Sequence, residues 1–373
     1  MWMSSDQAAS ALGVRLTTLY AYVSRGVISR EVVAGAGGQR ISRFRRDDVL
    51  ALAAARSRPR AGAFSELIES DVTQLDASGR LAFRGVDLST CASWGFERTA
   101  LHVLDATKAP RTLGAPGPWT ASREPVGSLA PTDTIRAVVL ELAGQDPERR
   151  SLDPGHCRCV ALSAVEASTL ALTGRHAGTV AERLASSWTY GAEADPRRLT
   201  SAIDVALAVL VDHELTASTV AARAAAGVGT DPWMVLLAGL SAMSGRFQAG
   251  ASHAAVAMLR AWSSTHRVNH DWLPGFGHKV YTGADPRAAL LLEQVAELSP
   301  EIVAVADDLA VEVAREYSLY PNIDLALAAL TLAADLPDYA GEIIFTLARI
   351  AGLMAHAIEE YPHGLRFRPR AVS

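Results

Sequence analysis

"PGFGHKVYTGADPRA", residues 274–288, decides how the chain is read. Two glycines, Gly275 and Gly277, flank Phe276 and lead directly to His278, and Arg287 stands nine residues further on. Glycine allows backbone turns closed to other residues and lets the chain approach a ligand closely, and an imidazole at such a turn can exchange a proton near neutral pH. The stretch reads as a loop that brings backbone and imidazole to a bound molecule.

The sequence around this loop is helical in character. Of 373 residues, 49% are hydrophobic, and Ala, Leu and Val dominate them, which favours helices because Ala and Leu are the best helix formers. Segments such as "DTIRAVVLELAG", "CVALSAVEASTLALTG", "VAERLASSW", "PRRLTSAIDVALAVLVDHEL", "ASTVAARAAAG" and "DPWMVLLAGLSAMSG" follow one another, each closed by Gly or a polar cluster. Before them, "DVTQLDASGRLAFRG" (71–85) alternates about a "DASG" turn and predicts a short β-hairpin, and "KAPRTLGAPGPW" (108–119) is a Pro/Gly-rich connector. Length and composition imply one large, mainly α core with an appended module.

No run of eighteen apolar residues occurs, and the start "MWMSSDQAASALG" lacks the basic and apolar regions of a signal peptide. The expectation is a soluble, cytoplasmic protein with no membrane partner. Three cysteines, Cys91, Cys157 and Cys159, are too few for a disulfide framework, and "HCRC" (156–159) has no second ligand pair, so no metal site is expected.

Charge separates the chain into two parts. Residues 1–60 carry ten arginines against Asp6, Glu31, Asp47 and Asp48, a net of +6, whereas the remainder carries 25 basic and 36 acidic residues, a net of −11. A basic head on an acidic body indicates two modules with different partners. In the head, "SDQAASALGVRLTTLYAYVSRGVI" has the spacing of two short helices, the first capped by Ser5 and broken at Gly13, the second running to Gly26. A glycine-tipped hairpin around Gly35–Gly38 and a helix entered through Asp47 follow. Residues 4–56 resemble the MerR-type winged helix-turn-helix, with its "GV" turn, Thr- and Tyr-bearing second helix, "RG" and arginine-rich wing. That resemblance implies binding of double-stranded DNA through Arg15, Thr17, Thr18, Tyr20 and Tyr22, with Arg40, Arg43, Arg45 and Arg46 following the phosphates from the wing. "SRPRAGAF" (57–64) reads as the linker, giving a head over 1–58, a linker over 59–64 and a body over 65–373.

The body resembles the citrate synthase family. Its loop matches the family signature G-F-G-H-R-V-Y followed by D-P-R-A, and "DHELTAST" (212–219), "LYPNID" (319–324), "FTLARIAGLMAHAIE" (345–359) and "RFRPRA" (366–371) follow the family pattern in order. "RGVDL" (84–88) and the hairpin fit the start of the family domain. The resemblance, over about residues 64–371, implies an all-helical large domain plus a small domain, the small part near 250–345, preceded by the short β-hairpin. It also implies a homodimer that condenses acetyl-CoA or another acyl-CoA with oxaloacetate, with no permanently bound cofactor. Arg287, Arg349 and Arg368 would then clamp carboxylates, Arg368 across the dimer interface; His213 and His278 would hydrogen-bond the acid, His278 polarising its ketone; and Asp324 would remove the methyl proton.

One position departs. The family pattern S-G-P-L-H-G-G-A-N-E-A-V-L-x-M-L, laid without a gap on "SGRFQAGASHAAVAML" (244–259), matches Ser244, Gly245, Gly250, Ala251, Ala254, Met258 and Leu259 and places its histidine on Gln248. His253 falls on the family's glutamate and is expected to point elsewhere. A glutamine amide donates a hydrogen bond but neither titrates nor carries charge. Thr282 where many members are basic, a short stretch between Leu259 and Pro274, and "LALA" (325–328) in place of F-Y-S-G also touch the acyl-CoA side. Two functional readings stand: a condensing acyltransferase fused to a DNA-binding head, and a non-catalytic regulator in which the dimer senses a di- or tricarboxylate.

Overall fold

The computed structural model describes residues 2–12, 14, 16, 19, 23, 28–34, 40–50, 68–76, 79–106, 129–188, 195–267 and 272–367. They form two compact units, one ending at Ile68 and the other beginning at Glu69.

In the first unit, β1 (Trp2–Ser4) runs into α1 (Ser5–Leu12), and β2 (Glu31–Ala34) and β3 (Arg40–Arg45) complete an antiparallel sheet of order β1-β3-β2. The helix cap lies one residue before the expected Ser5. Ser4 Oγ accepts from the Gln7 backbone N–H at 3.2 Å, and Gln7 Oε1 accepts from the Ser4 N–H at 3.0 Å, a reciprocal box that holds the first turn. Ala8, Ala9, Leu12, Leu19, Ile28, Phe44 and Val49 form the core of this unit. Alternation along β3 buries Phe44 and exposes Arg43 and Arg45, with the Arg45 guanidinium 5.9 Å from the Trp2 ring. A helix resumes at Arg46, which is exposed. Arg15, Thr17, Thr18, Tyr20, Tyr22 and the side chain of Arg40 lie outside the described residues.

The second unit opens with the expected hairpin, extended by a third strand: β4 (Thr73–Leu75), β5 (Leu81–Phe83) and β6 (Val86–Asp87), antiparallel throughout. Helices follow: α2 (Leu88–Trp94), α3 (Phe96–Val103), α4 (Pro131–Gln145), α5 (Pro154–Thr173), α6 (Val180–Trp188), α7 (Pro196–Leu210), α8 (Ala217–Gly227), α9 (Pro232–Met243), α10 (Gly250–Thr265), α11 (Pro286–Leu298), α12 (Pro300–Tyr317), α13 (Ile323–Ala333) and α14 (Ala340–Glu360). Several begin with the same device: Asp153, Asp195, Asp231 and Asp285 each accept a backbone N–H from the first turn and are followed by proline. Aspartate satisfies an otherwise unpaired donor, and proline has no N–H to lose there.

Helix α14 is long and apolar enough to span a membrane by length and composition, yet it is buried within the unit, packed against α5, α7, α8 and α9. Its Gly352 touches the chain just after α7: a Cβ there would lie 2.6 Å from Asp212 Oδ1 and closer still to Val211 O. Gly352→Ala is therefore expected to destabilise the fold by about 2–3 kcal/mol, the scale of core overpacking, read as a lowered thermal midpoint; an unchanged midpoint would contradict this close approach.

Candidate active site

Two left-handed glycines build the central loop. Gly275 (φ 87°) and Gly277 (φ 77°) adopt backbone angles that favour glycine, and a Cβ on Gly275 would press on the Leu325 backbone at 3.1 Å. This lets the loop pair with residues 320–322: Gly277 N–H donates to Tyr320 O at 2.8 Å, Asn322 N–H to Gly275 O at 2.9 Å, and the Asn322 amide to Gly277 O at 2.9 Å. Asn322 Oδ1 also accepts the Asp324 N–H, capping α13. His278 and Asp324 are thus carried on two segments sewn together by backbone.

His213 arrives from the other side. The sequence predicts a helix running through residue 215; it stops at Leu210, because Asp212 Oδ2 accepts the Glu214 N–H at 3.1 Å and Glu214 turns left-handed (φ 53°). The unwound segment sets the His213 ring 4.9 Å from that of His278, edge to face. His213 Nε2 lies 2.8 Å from Tyr281 Oη, and Tyr281 also packs on His278, with ring centroids 4.6 Å apart.

The protonation states follow from these contacts. His278 Nδ1 accepts the Val280 N–H at 3.1 Å, so a neutral ring carries its proton on Nε2. Burial, then Arg287, lowers the His278 pKa; His213 is pushed well below the ordinary value by burial and by Arg287, Arg349 and His278. Both imidazoles are neutral donors at pH 7. Asp324 behaves oppositely: burial raises its carboxyl to about 7 against the pull of Arg287, and its Oδ1 is buried without a hydrogen-bond partner among the described residues. A carboxyl poised there can take or give a proton at neutral pH.

The two described arginines differ. Arg287 is clamped by Asp285, Nη2 to Oδ2 at 2.7 Å and Nε to Oδ1 at 3.0 Å, and Asp285 Oδ2 also receives the Ile323 N–H at the start of α13. Arg349 is fully buried, its guanidinium 4.9 Å from the Phe345 ring and its Nε donating to Leu210 O at 3.0 Å; neither Nη1 nor Nη2 has a hydrogen-bond partner among the described residues. Burial, together with Arg287, lowers its pKa to about 10, which leaves it charged. A buried guanidinium with both Nη groups unpaired has the donors to receive an anion.

Gln248 sits on the turn before α10, half-buried, its Nε2 donating to Ser218 Oγ at 2.7 Å; Ser218 in turn lies 3.0 Å from Thr216 Oγ1. His253 is exposed. Arg368 lies outside the described residues. The structure therefore brings together His213, His278, Arg287, Arg349 and Asp324, while Gln248 joins them through the segment that follows His213. Sequence reasoning assigned no role to Tyr281, Asp285, Ser218 or Asp212. Tyr281 stood inside the quoted signature and Asp285 beside Arg287, so position alone marked those two. Among the described residues no group of three His, Cys, Asp or Glu side chains gathers to hold a metal ion.

Comparison with known proteins places this geometry. Residues 123–370, more than half of the chain, match the family described as citrate synthase, C-terminal domain, and residues 2–57 match a helix-turn-helix domain. The citrate synthase of Saccharolobus solfataricus is 34% identical over 193 residues, 46% of this chain and 51% of that protein; the citrate synthase of Thermoplasma acidophilum is 31% identical over 193 residues, 46% and 50%. The matched region thus spans about half the length of these curated relatives. The fold is similar to that of citrate synthase from Pyrobaculum aerophilum (TM-score 0.66, 21% identity, 82% of this chain and 89% of that one). It is also similar to the Thermoplasma acidophilum enzyme in ternary complex with carboxymethyl coenzyme A and oxaloacetate (TM-score 0.65, 21% identity, 83% and 93%). With the family profile covering the segments that carry His213, Asp324 and Arg349, this chain belongs to the citrate synthase family and carries an N-terminal helix-turn-helix domain.

Proposed function

We propose that the body is a condensing acyltransferase that joins an acyl-CoA to oxaloacetate, working in the cytoplasm as a homodimer fused to a MerR-like DNA-binding head. The observation that carries this reading is Asp324, a buried carboxyl with an unpartnered oxygen and a pKa near 7. A sensor of small acids has no need of a tuned base.

In this reading the acid's carboxylates lie on Arg349 and Arg287. Each of these arginines already has a carboxylate close by, Asp212 and Asp285 respectively, so a dianion needs further positive charge, which Arg368 would supply across the homodimer. His278 Nε2–H donates to the ketone oxygen. Asp324 removes a proton from the acyl α-carbon, the Gln248 amide N–H hydrogen-bonds the thioester oxygen of the resulting enolate, and the enolate carbon attacks the ketone carbon while the alkoxide takes the His278 proton. Hydrolysis of the thioester then frees the CoA thiol.

Thiol release by the purified full chain with oxaloacetate and acetyl-CoA or propionyl-CoA tests this. Because the base must be ionised, the rate is expected to fall as pH drops through about 7 and by about tenfold per unit below pH 6; Asp324→Asn should abolish turnover. Binding of oxaloacetate or citrate by calorimetry with no thiol release at any pH would instead favour the regulator, for which the Gln248 substitution and the helix-turn-helix domain speak.

A further inference from the structure

Asp212 and Arg349 present an anomaly. Both are fully buried, and Arg349 lies close enough to help hold the Asp212 carboxyl below its ordinary range, yet Asp212 Oδ1 and both Nη groups of Arg349 lack hydrogen-bond partners among the described residues. A buried carboxylate and guanidinium that feel each other's charge normally close into a two-pronged pair, yet these two form no ion pair. Something prevents it.

What prevents it is visible on the other side of the carboxylate. Asp212 Oδ2 accepts three hydrogen bonds: from Thr73 Oγ1 at 2.6 Å, from His356 Nε2 at 3.1 Å and from the Glu214 N–H at 3.1 Å. His356 is itself fixed. Arg223 Nη1 donates to His356 Nδ1 at 2.6 Å, with Ser70 Oγ 3.5 Å from the same nitrogen, which leaves the ring proton on Nε2, facing Asp212. Arg223 Nε is held by Glu360 Oε2 at 2.7 Å, and Glu360 is forked by Arg366 at 2.6 and 2.7 Å. The line Arg366, Glu360, Arg223, His356, Asp212, buried from Glu360 onward, thus starts at the half-buried Arg366 and ends beside His213.

We propose that His356 is a positioning residue of the acid clamp: it holds the Asp212 carboxylate away from Arg349, so that the guanidinium keeps a counter-charge nearby but both prongs for the ligand. Arg287 shows the alternative, its Nε and Nη2 already taken by Asp285. This rests on reading Arg349 as an anion receptor. Once the donors on Oδ2 are removed, Asp212 swings to Arg349 and competes with the ligand as a built-in anion.

The test uses the full chain with sulfate as probe, read by thermal shift, beside calorimetry with citrate and oxaloacetate. Sulfate should stabilise the wild type and not Arg349→Leu. His356→Leu should require at least tenfold more sulfate for the same effect, and adding Asp212→Asn, which removes the competing charge, should return the response to within about threefold of wild type. A residue that merely supports the fold gives no such recovery. Should His356→Leu not fold, Thr73→Val removes a second donor from Oδ2 and is expected to show the same loss and the same recovery. The proposal is overturned if sulfate leaves the wild type unaffected, if the single variants respond like wild type, or if Asp212→Asn restores nothing. Sulfate binding without citrate or oxaloacetate binding would sink the functional reading alone.

Discussion

Replacing Arg349 by leucine is expected to weaken binding of oxaloacetate or citrate at least a hundredfold while raising the thermal midpoint of the unliganded protein. The two effects share one cause. A two-pronged, charge-assisted contact in a dry site contributes about 3 kcal/mol, and each 1.4 kcal/mol is a factor of ten in affinity. Without ligand the same guanidinium is a liability: it is buried, its pKa falls to about 10, and both Nη groups lack partners among the described residues. Leucine removes that desolvation cost, while the Asp212 carboxylate, which loses a nearby positive charge, stays held by Thr73, His356 and the Glu214 N–H. Calorimetry and a melting curve on the same preparation check the pair. Equal loss of affinity and of stability would show that Arg349 supports the fold and does not await an anion.

The second large effect is expected from Gln248→His, a rise in thiol release of about a hundredfold to a thousandfold. In the proposed reaction the donor at this position stabilises charge as it builds on the thioester oxygen, and an imidazole can strengthen its hydrogen bond by taking positive charge where an amide cannot. Ser218 is in place to orient either group, since it already lies 2.7 Å from Gln248 Nε2. If Ser218 instead donates to Gln248 Oε1, the amide turns both N–H groups toward the acyl-CoA of the proposed reaction. Parallel assays of native and variant protein measure the ratio. A native rate already equal to the variant's would show that glutamine suffices, and the sequence departures at Thr282 and residues 325–328 would then be the place to look for altered acyl-group choice.

Local signals carried much of this architecture into view before any coordinates. Ala- and Leu-rich segments closed by Gly or polar clusters marked the helices, the two glycines around Phe276 marked the loop, and the order of motifs named the family. What stayed hidden was set by contacts between residues distant in sequence. The end of α7 at Leu210 cannot be read from "LVDHEL", because it depends on an aspartate held by Thr73 and His356, 139 and 144 residues away. Tyr281 on His213 and the unequal state of the two arginines arise in the same way. The cap at Ser4 rather than Ser5 is a smaller case: both serines suit the role, and only the reach of Gln7 decides between them.

Helix α14 carries Arg349, His356 and Glu360 at intervals of seven and four, one stripe along a single rod. The stripe makes α14 a ruler. Inserting or deleting one residue between Arg349 and His356 would rotate one end against the other by about 100°, turning either the guanidinium or the imidazole out of the site. Residue identity along this helix can drift wherever volume is kept, but its length between those two positions cannot, so the spacing R-x6-H-x3-E is a sharper signature of this site than any one of its letters.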